Sequence, residues 1–533
     1  MKRPLSEKRA RCVRRHDDPV CIASSHAPCG AESLASLYAH PEWIYNKLCE
    51  GECAMAKNRF ERLQTLCQRF KIRLHEFYAG KGTAATVTTH WNQKLRSVGL
   101  IPKGQEFFTT TMAADLYGPA QACLLSHKHP KEEEATIKHV FQDFVQDRVN
   151  ELDSFLMKLL PDDRMAEPYE TQCAWEKMGC YMMADPTRFL ADKAWCTRCL
   201  QPCLIDSKLE THPDGTVLSG FEEIVAVSAG TTCVDFAYYG HGAGESGESM
   251  LALNTTCAHC VKYQPKFLFF EIAGKDVSVK LYEKRLGHLY SFCAAWLSPT
   301  FFGGPASRPR LYTFGWHCTC KYFGSVQEFN QLFGVKLHMD ARVYFADTMV
   351  QRYRESVARS KVYGFCYPSS SSLITDGITI PSIPLEHQFT SMTFQRWTAF
   401  GERLLEQMIK KQKCEKPNVY LVDVDQSSEW SGGGECAPCL VKHGTLVDVI
   451  SHQVATSKEH LLIQGEATTF QGDDEGWDDD YACCILPAVN KLAQTTDGRR
   501  ALKHLAGNSQ VSYVLSAWMM YNLSNVEVFV VFE

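Results

Sequence analysis

The sequence predicts an α/β fold: a parallel sheet covered by helices, joined to a second, more irregular lobe. Three observations predict it. Between residues 70 and about 324, short apolar runs alternate with helix-patterned stretches, which is how strand–helix units on a parallel sheet read. Several of these runs stop at a glycine or an acidic residue, the edge where such sheets bind ligands. Between residues 325 and 495 the alternation is lost. A serine run (369–372), a glycine run (SGGGE, 431–435) and an acidic run (DDEGWDDD, 473–480) take its place.

The elements follow in order. Residues 1–30 read as a basic tail without hydrophobic periodicity, carrying Lys2, Arg3, Lys8, Arg9, Arg11, Arg14 and Arg15. Such a tail suits a nuclear address or a nucleic-acid contact, and equally a solvated extension. It has no apolar signal core. Residues 31–69 form a helical extension, with Ile44, Leu48, Met55, Phe60, Leu63 and Leu66 at helical spacing. The α/β core spans 70–324. Its first strand is IRLHEFY, its second TTTMAAD and its third HVFQDFV; DRVNELDSFLMKLL is an amphipathic helix. A cysteine-bearing insertion occupies about 161–215. EEIVAVSAG is the fourth strand, KFLFFEIAG the fifth and RLYTFGW a later one. Residues 325–495 form the irregular lobe, and 496–533 return to helix and strand.

The strand ends carry the chemistry. FYAGKG sets Gly80 and Gly82 between a strand and a helix, where glycines let a ligand approach the backbone and the helix N-terminus favours negative charge. Asp115 ends the second strand, placed to bind two ribose hydroxyls. Asp143 ends the third, placed to accept from an adenine amino group. Three successive strand ends of this kind point to an adenosyl cofactor. Cys233 stands just beyond the fourth strand, where a thiolate would be a strong nucleophile at the lip of a cleft.

In this order the segments resemble those of the cytosine carbon-5 methyltransferases. EFYAGKG, with Phe77, Gly80 and Gly82, is similar to the family's cofactor loop. ADLYGPAQACLL, with Asp115, resembles its ribose-binding segment, and QDF, with Asp143, its adenine-binding segment. GTTCVDF resembles the catalytic loop, with Cys233 as nucleophile. FFEI places Glu271 at the family's glutamate, and GGPASRPRLYTFG places Arg308 and Arg310 at its two arginines. LLIQGEA resembles the family's Leu-Gln-Gly run. AGNSQVSYVLSAWM resembles the closing segment, with Asn508 and Ser509 beside the cofactor. The likeness covers roughly residues 70–520. Thr232 replaces the proline before the nucleophile, Ile272 replaces the asparagine after the glutamate, and Pro305, Ala306 and Ser307 occupy the family's Pro-Gln region.

The resemblance implies a Rossmann-like S-adenosylmethionine-dependent methyltransferase sheet, with residues 325–495 as a target-recognition-like lobe. It implies methyl transfer from S-adenosyl-L-methionine to carbon 5 of cytosine in DNA, through a cysteine adduct with a flipped base. Two alternatives stay open: the same reaction on transfer RNA, and a catalytically silent scaffold binding cofactor or nucleic acid. DNA is the expected partner and RNA the alternative, with a nuclear location and a cytoplasmic one beside it.

Composition sets the remaining bounds. The net charge of −5 gives no bulk attraction to nucleic acid, so such binding needs a local basic surface. No apolar run reaches about 18 residues, so no membrane span is expected. The 24 cysteines are scattered, which suits a reducing compartment with few or no disulfides. Three groups have the Cys-X-X-Cys spacing that suits zinc. Only AWCTRCLQPC is dense, so Cys196, Cys199 and Cys203 are weak zinc candidates without an obvious fourth ligand. Cys257 and Cys260 fall in a predicted helix and read as core. Cys436 and Cys439 lie in a segment to which the resemblance assigns no metal.

Overall fold

A computed structural model describes residues 18–49, 53–129, 131, 135–142, 168–205, 222–230, 235–236, 243–274, 277–375, 379–398, 405–406, 409–410, 419–426, 434–468 and 479–529. The centre is a nine-stranded sheet. Its strands are β1 (Phe70–Phe77), β2 (Phe108–Ala114), β3 (His139–Phe141), β4 (Lys193–Cys196), β5 (Gln201–Leu204), β6 (Glu222–Gly230), β7 (Phe267–Ile272), β8 (Tyr290–Leu297) and β9 (Arg310–His317). They lie in the order β5-β4-β3-β2-β1-β6-β7-β9-β8. β1, β2, β3, β6 and β7 are parallel, and β9 inserts antiparallel between β7 and β8. This is the order of the Rossmann-like methyltransferase sheet, with the β4–β5 hairpin added at one edge.

Burial explains the strand compositions. β2 is buried along its whole length, and so is β7. They therefore read as continuous apolar or small-residue runs, as strands covered on both faces do. Two large clusters cover the two faces. One includes Trp91, Leu95, Phe267, Phe314, Phe329 and Trp518; the other includes Phe77, Met178, Cys257, Cys260, Phe270 and Tyr282. Cys257 and Cys260 are fully buried in the helix Ser249–Tyr263, as packing residues. Every residue of the helix Ser512–Leu523 is buried. Two of its polar groups find partners inside: the Trp91 indole donates to Ser516 Oγ at 2.7 Å and Tyr322 Oη to Asn522 Oδ1 at 2.6 Å.

The structure redraws several expected boundaries. The helical extension expected over 31–69 is three helices, Leu34–Tyr38, His40–Cys49 and Ala54–Arg69. The insertion at 161–215 joins the sheet through β4 and β5, after the helix Pro168–Ala184. β8 is an additional strand that the alternation pattern does not show, because a β8–β9 antiparallel pair needs no helix between its strands. Residues 325–495 give the nine-stranded sheet no strand among those described. Their two ends nevertheless pack into the main core, through Phe329, Phe333 and Tyr344 and through Leu461, Leu462 and Ile485. The middle has a small core of its own, with Phe389, Trp397, Val422, Val447 and Val449. The basic residues of the tail, the helix expected at 147–160, Asp143 and Cys233 lie outside the described residues. Among the described residues no helix is long and apolar enough to cross a membrane.

Candidate functional site

The strand order reverses beside β1, where β2 lies on one side and β6 on the other. Crevices form at the carboxyl ends of strands at such a point. The register aligns those ends: Phe77 sits beside Ala114 and Ala229, and Gly230 beside Glu271. Leaving β1, the backbone takes positive φ at Tyr78 (51°), Gly80 (56°) and Gly82 (85°). Glycine takes this conformation without steric cost, whereas at Tyr78 it is strained. A side chain on Gly82 would also meet Leu124 Cδ2 at 3.0 Å. The loop is pinned from three sides. Asp115 accepts from the Gly80 amide at 2.8 Å and from the Tyr117 amide at 2.8 Å. Lys81, wholly buried, pairs with Glu466 of the IQGEA turn. Glu76 accepts from the Ala84 and Ala85 amides at 2.8 and 3.1 Å, capping the helix Thr83–Ser97.

A cavity opens here, lined by Phe77, Tyr78, Thr83, Asn508, Ser509 and Gln510 among others. Two of its buried polar atoms, Thr83 Oγ1 and Gln510 Oε1, have no hydrogen-bond partner among the described residues. Unsatisfied buried polar atoms are rare unless a ligand or water completes them. A ligand group or an ordered water would complete these two atoms. Of the sequence-predicted cofactor residues, Phe77, Asn508 and Ser509 line this one cavity, while Gly80 and Asp115 form its adjoining loop contact. Gln510, Thr83 and Glu76 are lining residues that the sequence reading did not single out. Glu76 precedes Phe77 in a segment already read as the cofactor loop, so its position was the available signal.

Two residues along the crevice, Glu271 and Arg310 form an ion pair, Oε1 to Nε at 3.2 Å. Glu271 is the β7 neighbour of Gly230, the last residue of β6, and Arg310 begins β9. Burial raises the Glu271 carboxyl above its ordinary range, with Arg310 and Arg308 opposing. The flanks of Cys233 are set on each side. Gly230 is paired in the sheet, and Asp235 is buried with Oδ2 accepting from the Ser249 amide at 2.7 Å.

Arg308 has a different setting from the one its neighbour's role suggests. It is buried and donates to the carbonyls of Leu440 (3.3 Å), Gly507 (3.0 Å) and Ser509 (2.8 Å). Through its two terminal nitrogens it clamps the irregular segment and the closing segment onto β9. Cys439 also reaches Arg310, a contact that sequence spacing did not reveal. The bridge between Ala306 and Ala437 brings ECAPC against the start of β9. Arg310 Nη2 then donates to Cys439 Sγ at 3.6 Å. Burial pushes that thiol up, but Arg310 and Arg308 outweigh it and hold it below its ordinary value.

No protein-family model matches the chain, and no curated protein matches it. Solved structures do. Dnmt2 methyltransferase from S. pombe is 12% identical, with 84% of this chain and 97% of that one covered and a TM-score of 0.36. The Entamoeba histolytica methyltransferase EhMeth is 12% identical, covering 85% and 98%, with a TM-score of 0.35. The fold is a methyltransferase fold. The strand order carries that statement: five parallel strands, a reversal beside β1 and an antiparallel β9 inside β8.

The cysteines of the β4–β5 hairpin complete the account of the predicted sites. Cys196, Cys199 and Cys203 do come together, and the first residue of β3, His139, joins them. The four ligand atoms all lie within 4.8 Å of one another.

Proposed function

We propose that this chain transfers a methyl group from S-adenosylmethionine to carbon 5 of cytosine, with Cys233 as the nucleophile and DNA as the substrate. The observation that carries the reading is the Glu271–Arg310 pair beside Gly230, the residue from which the Cys233 loop leaves the sheet. Gly230 and Asp235, the described residues nearest to Cys233 on either side, are both fixed, one in the sheet and the other by the Ser249 amide.

Each group has a task that matches its surroundings. Carbon 5 of cytosine is weakly nucleophilic until a thiolate adds at carbon 6. Cys233 makes that bond, and the positive charge of Arg310 favours the thiolate and the charge growing on the base carbonyl. Glu271, its carboxyl raised by burial, holds a proton nearer neutral pH than an exposed glutamate does. It can donate to the ring nitrogen as the ring takes up the electron pair. The cofactor, when bound, supplies an electrophilic methyl group on a sulfonium. Glu271 takes back the ring-nitrogen proton, and loss of the carbon-5 proton to a solvent water then expels the Cys233 thiolate and restores the ring. A stacked base cannot reach these groups, so the target cytosine must be flipped out. Phe77, Thr83 and Gln510 serve the cofactor side, where Thr83 Oγ1 and Gln510 Oε1 await partners.

The test uses cytosine with fluorine at carbon 5, which has no proton to lose there. The full chain is incubated with S-adenosylmethionine and DNA or RNA oligonucleotides carrying that base. A denaturation-resistant adduct on DNA, mapping to Cys233 and lost in Cys233→Ser, is expected. An adduct on RNA alone would replace DNA by RNA as the substrate. An adduct mapping to Cys439 would overturn the assignment of the nucleophile, and cofactor binding without any adduct would leave a silent scaffold.

A further inference from the structure

The β4–β5 hairpin is held to the sheet by little that is visible in its apolar residues. Ala194 and Ile205 are buried, but Trp195, Leu200 and Leu204 are 46, 70 and 46% exposed. A single register pair, Phe141 with Cys196, and the Thr197 amide donating to Val140 O at 2.7 Å join it to β3. An isolated two-stranded hairpin is marginal in water. Arg198 of the turn adds two bonds, to the Leu124 and Leu125 carbonyls at 3.1 and 2.9 Å, and the question is what the clustered thiols add to these.

The geometry of its cysteines supplies the answer. Cys196 Sγ lies 3.8 Å from His139 Nδ1, and Cys199 Sγ lies 3.5 Å from the same nitrogen. Tetrahedral zinc has bonds of about 2.3 Å to sulfur and about 2.0 Å to nitrogen, which places sulfur and nitrogen about 3.5 Å apart and two sulfurs about 3.8 Å apart. The two sulfur–nitrogen separations match this closely, and every other pair of ligand atoms lies within 4.8 Å. The turn is shaped to the same end. The Cys199 amide points at Cys196 Sγ at 3.4 Å, and the Leu200 amide donates to Cys196 O at 2.8 Å. Leu200 follows at a φ of 55°, a conformation that costs a leucine energy and persists where surrounding bonds enforce it.

We infer that His139, Cys196, Cys199 and Cys203 bind one zinc ion as a closed structural site that fastens the β4–β5 hairpin to β3. Three sulfurs and one imidazole nitrogen select zinc over the hard cations, and four protein ligands leave no open position for chemistry. The three thiols bind as thiolates and release their protons on binding. The neutral imidazole binds through Nδ1. His139 stands 57 residues before Cys196, so the ion closes a long segment of chain onto the sheet edge. This site lies apart from Glu271 and Arg310 and does not depend on the proposed methyl transfer.

The experiment uses the full chain, expressed with added zinc and purified under reducing conditions. Elemental analysis should find about one zinc per chain. His139→Ala and Cys199→Ser should each lower this at least tenfold after dialysis, while His139→Cys, which offers a fourth thiolate, should keep it. Cys173→Ser, on an exposed position outside the hairpin, should also keep it. On the unaltered protein, a chelator should release the metal, and amide exchange over 193–204 should speed up at least tenfold. Wild-type protein with less than a tenth of a zinc per chain would overturn the inference. So would iron in its place, or a Cys199–Cys203 disulfide found by mass spectrometry under the same reducing conditions. Unchanged hairpin exchange after metal release would overturn the fastening role.

Discussion

Glu76 gives the sharpest quantitative expectation. It is wholly enclosed beneath the cofactor loop, and burial pushes its carboxyl up to about 7, against the opposing pull of the Ala84 and Ala85 amides and of Lys81. The unfolded chain holds the same group near its ordinary 4.5. Between those two values the folded state binds more protons than the unfolded state. The stabilising effect of the raised carboxyl is therefore complete below about pH 4.5 and is lost as pH rises through 7. From pH 5 to pH 8 the loss amounts to about 2.5 kcal/mol. Glu76→Gln removes the titrating group and keeps an oxygen for one of the two amides. Urea unfolding of both proteins at pH 5, 6, 7 and 8 should show the wild-type advantage shrinking by that amount over the range. Other titrating groups, including the buried Glu459, which burial also raises to about 7, occur in both proteins and cancel in the difference. A difference constant to within about 0.5 kcal/mol across the range would refute a carboxyl held protonated at this position. A cationic ligand in the adjoining cavity would draw the Glu76 proton off. Calorimetry of S-adenosylmethionine binding near pH 7 should then show heats that depend on the buffer's ionisation.

Three further outcomes follow from the site. Arg308→Ala should lower stability by about 3 kcal/mol, because it strips charged donors from three buried carbonyls; Arg308→Lys should restore little, since one ammonium cannot span all three, and a denaturant midpoint equal to wild type would contradict the clamp. Cys439, held low by the arginines, should be alkylated at pH 7 faster than Cys436, whose thiol burial and the nearby Glu435 and Asp340 push up; Arg310→Ala should slow it, and mass spectrometry showing no order between the two would count against the pairing. Asp115→Ala removes the acceptor of the Gly80 amide and should weaken S-adenosylmethionine at least tenfold by calorimetry without unfolding the chain.

Much of the sheet was legible because its signals are local. β1, β2, β6 and β7 are short apolar runs ended by glycine or a charged residue, and each appears where the pattern places it. Phe77, Asn508 and Ser509 were read from separate segments and line one cavity. β8 was not legible, because an antiparallel neighbour lacks the helix that marks a parallel connection. The limits of the irregular lobe were blurred for a similar reason. Phe329 and Leu461 belong to the main core, yet nothing in their immediate neighbours distinguishes them from residues of a separate lobe. Arg308 and Arg310 are two residues apart and look equivalent in sequence; one grips three backbone carbonyls and the other faces Glu271.

The sequence by itself determined the strand–helix order, the glycine loop after β1, the acidic end of β2 and the position of a cysteine beyond β6. Those features depend on side-chain period and on backbone freedom over a few residues, and both are written locally. Only the tertiary structure decided which distant groups meet. His139 completes the three hairpin thiols from 57 residues away, and Cys439 reaches Arg310 from 129. Each such partner contributes one side chain from one element. Its spacing along the chain carries no signal, because the distance is set by how the sheet edge and the irregular segment fold back, and that depends on the packing of the whole core.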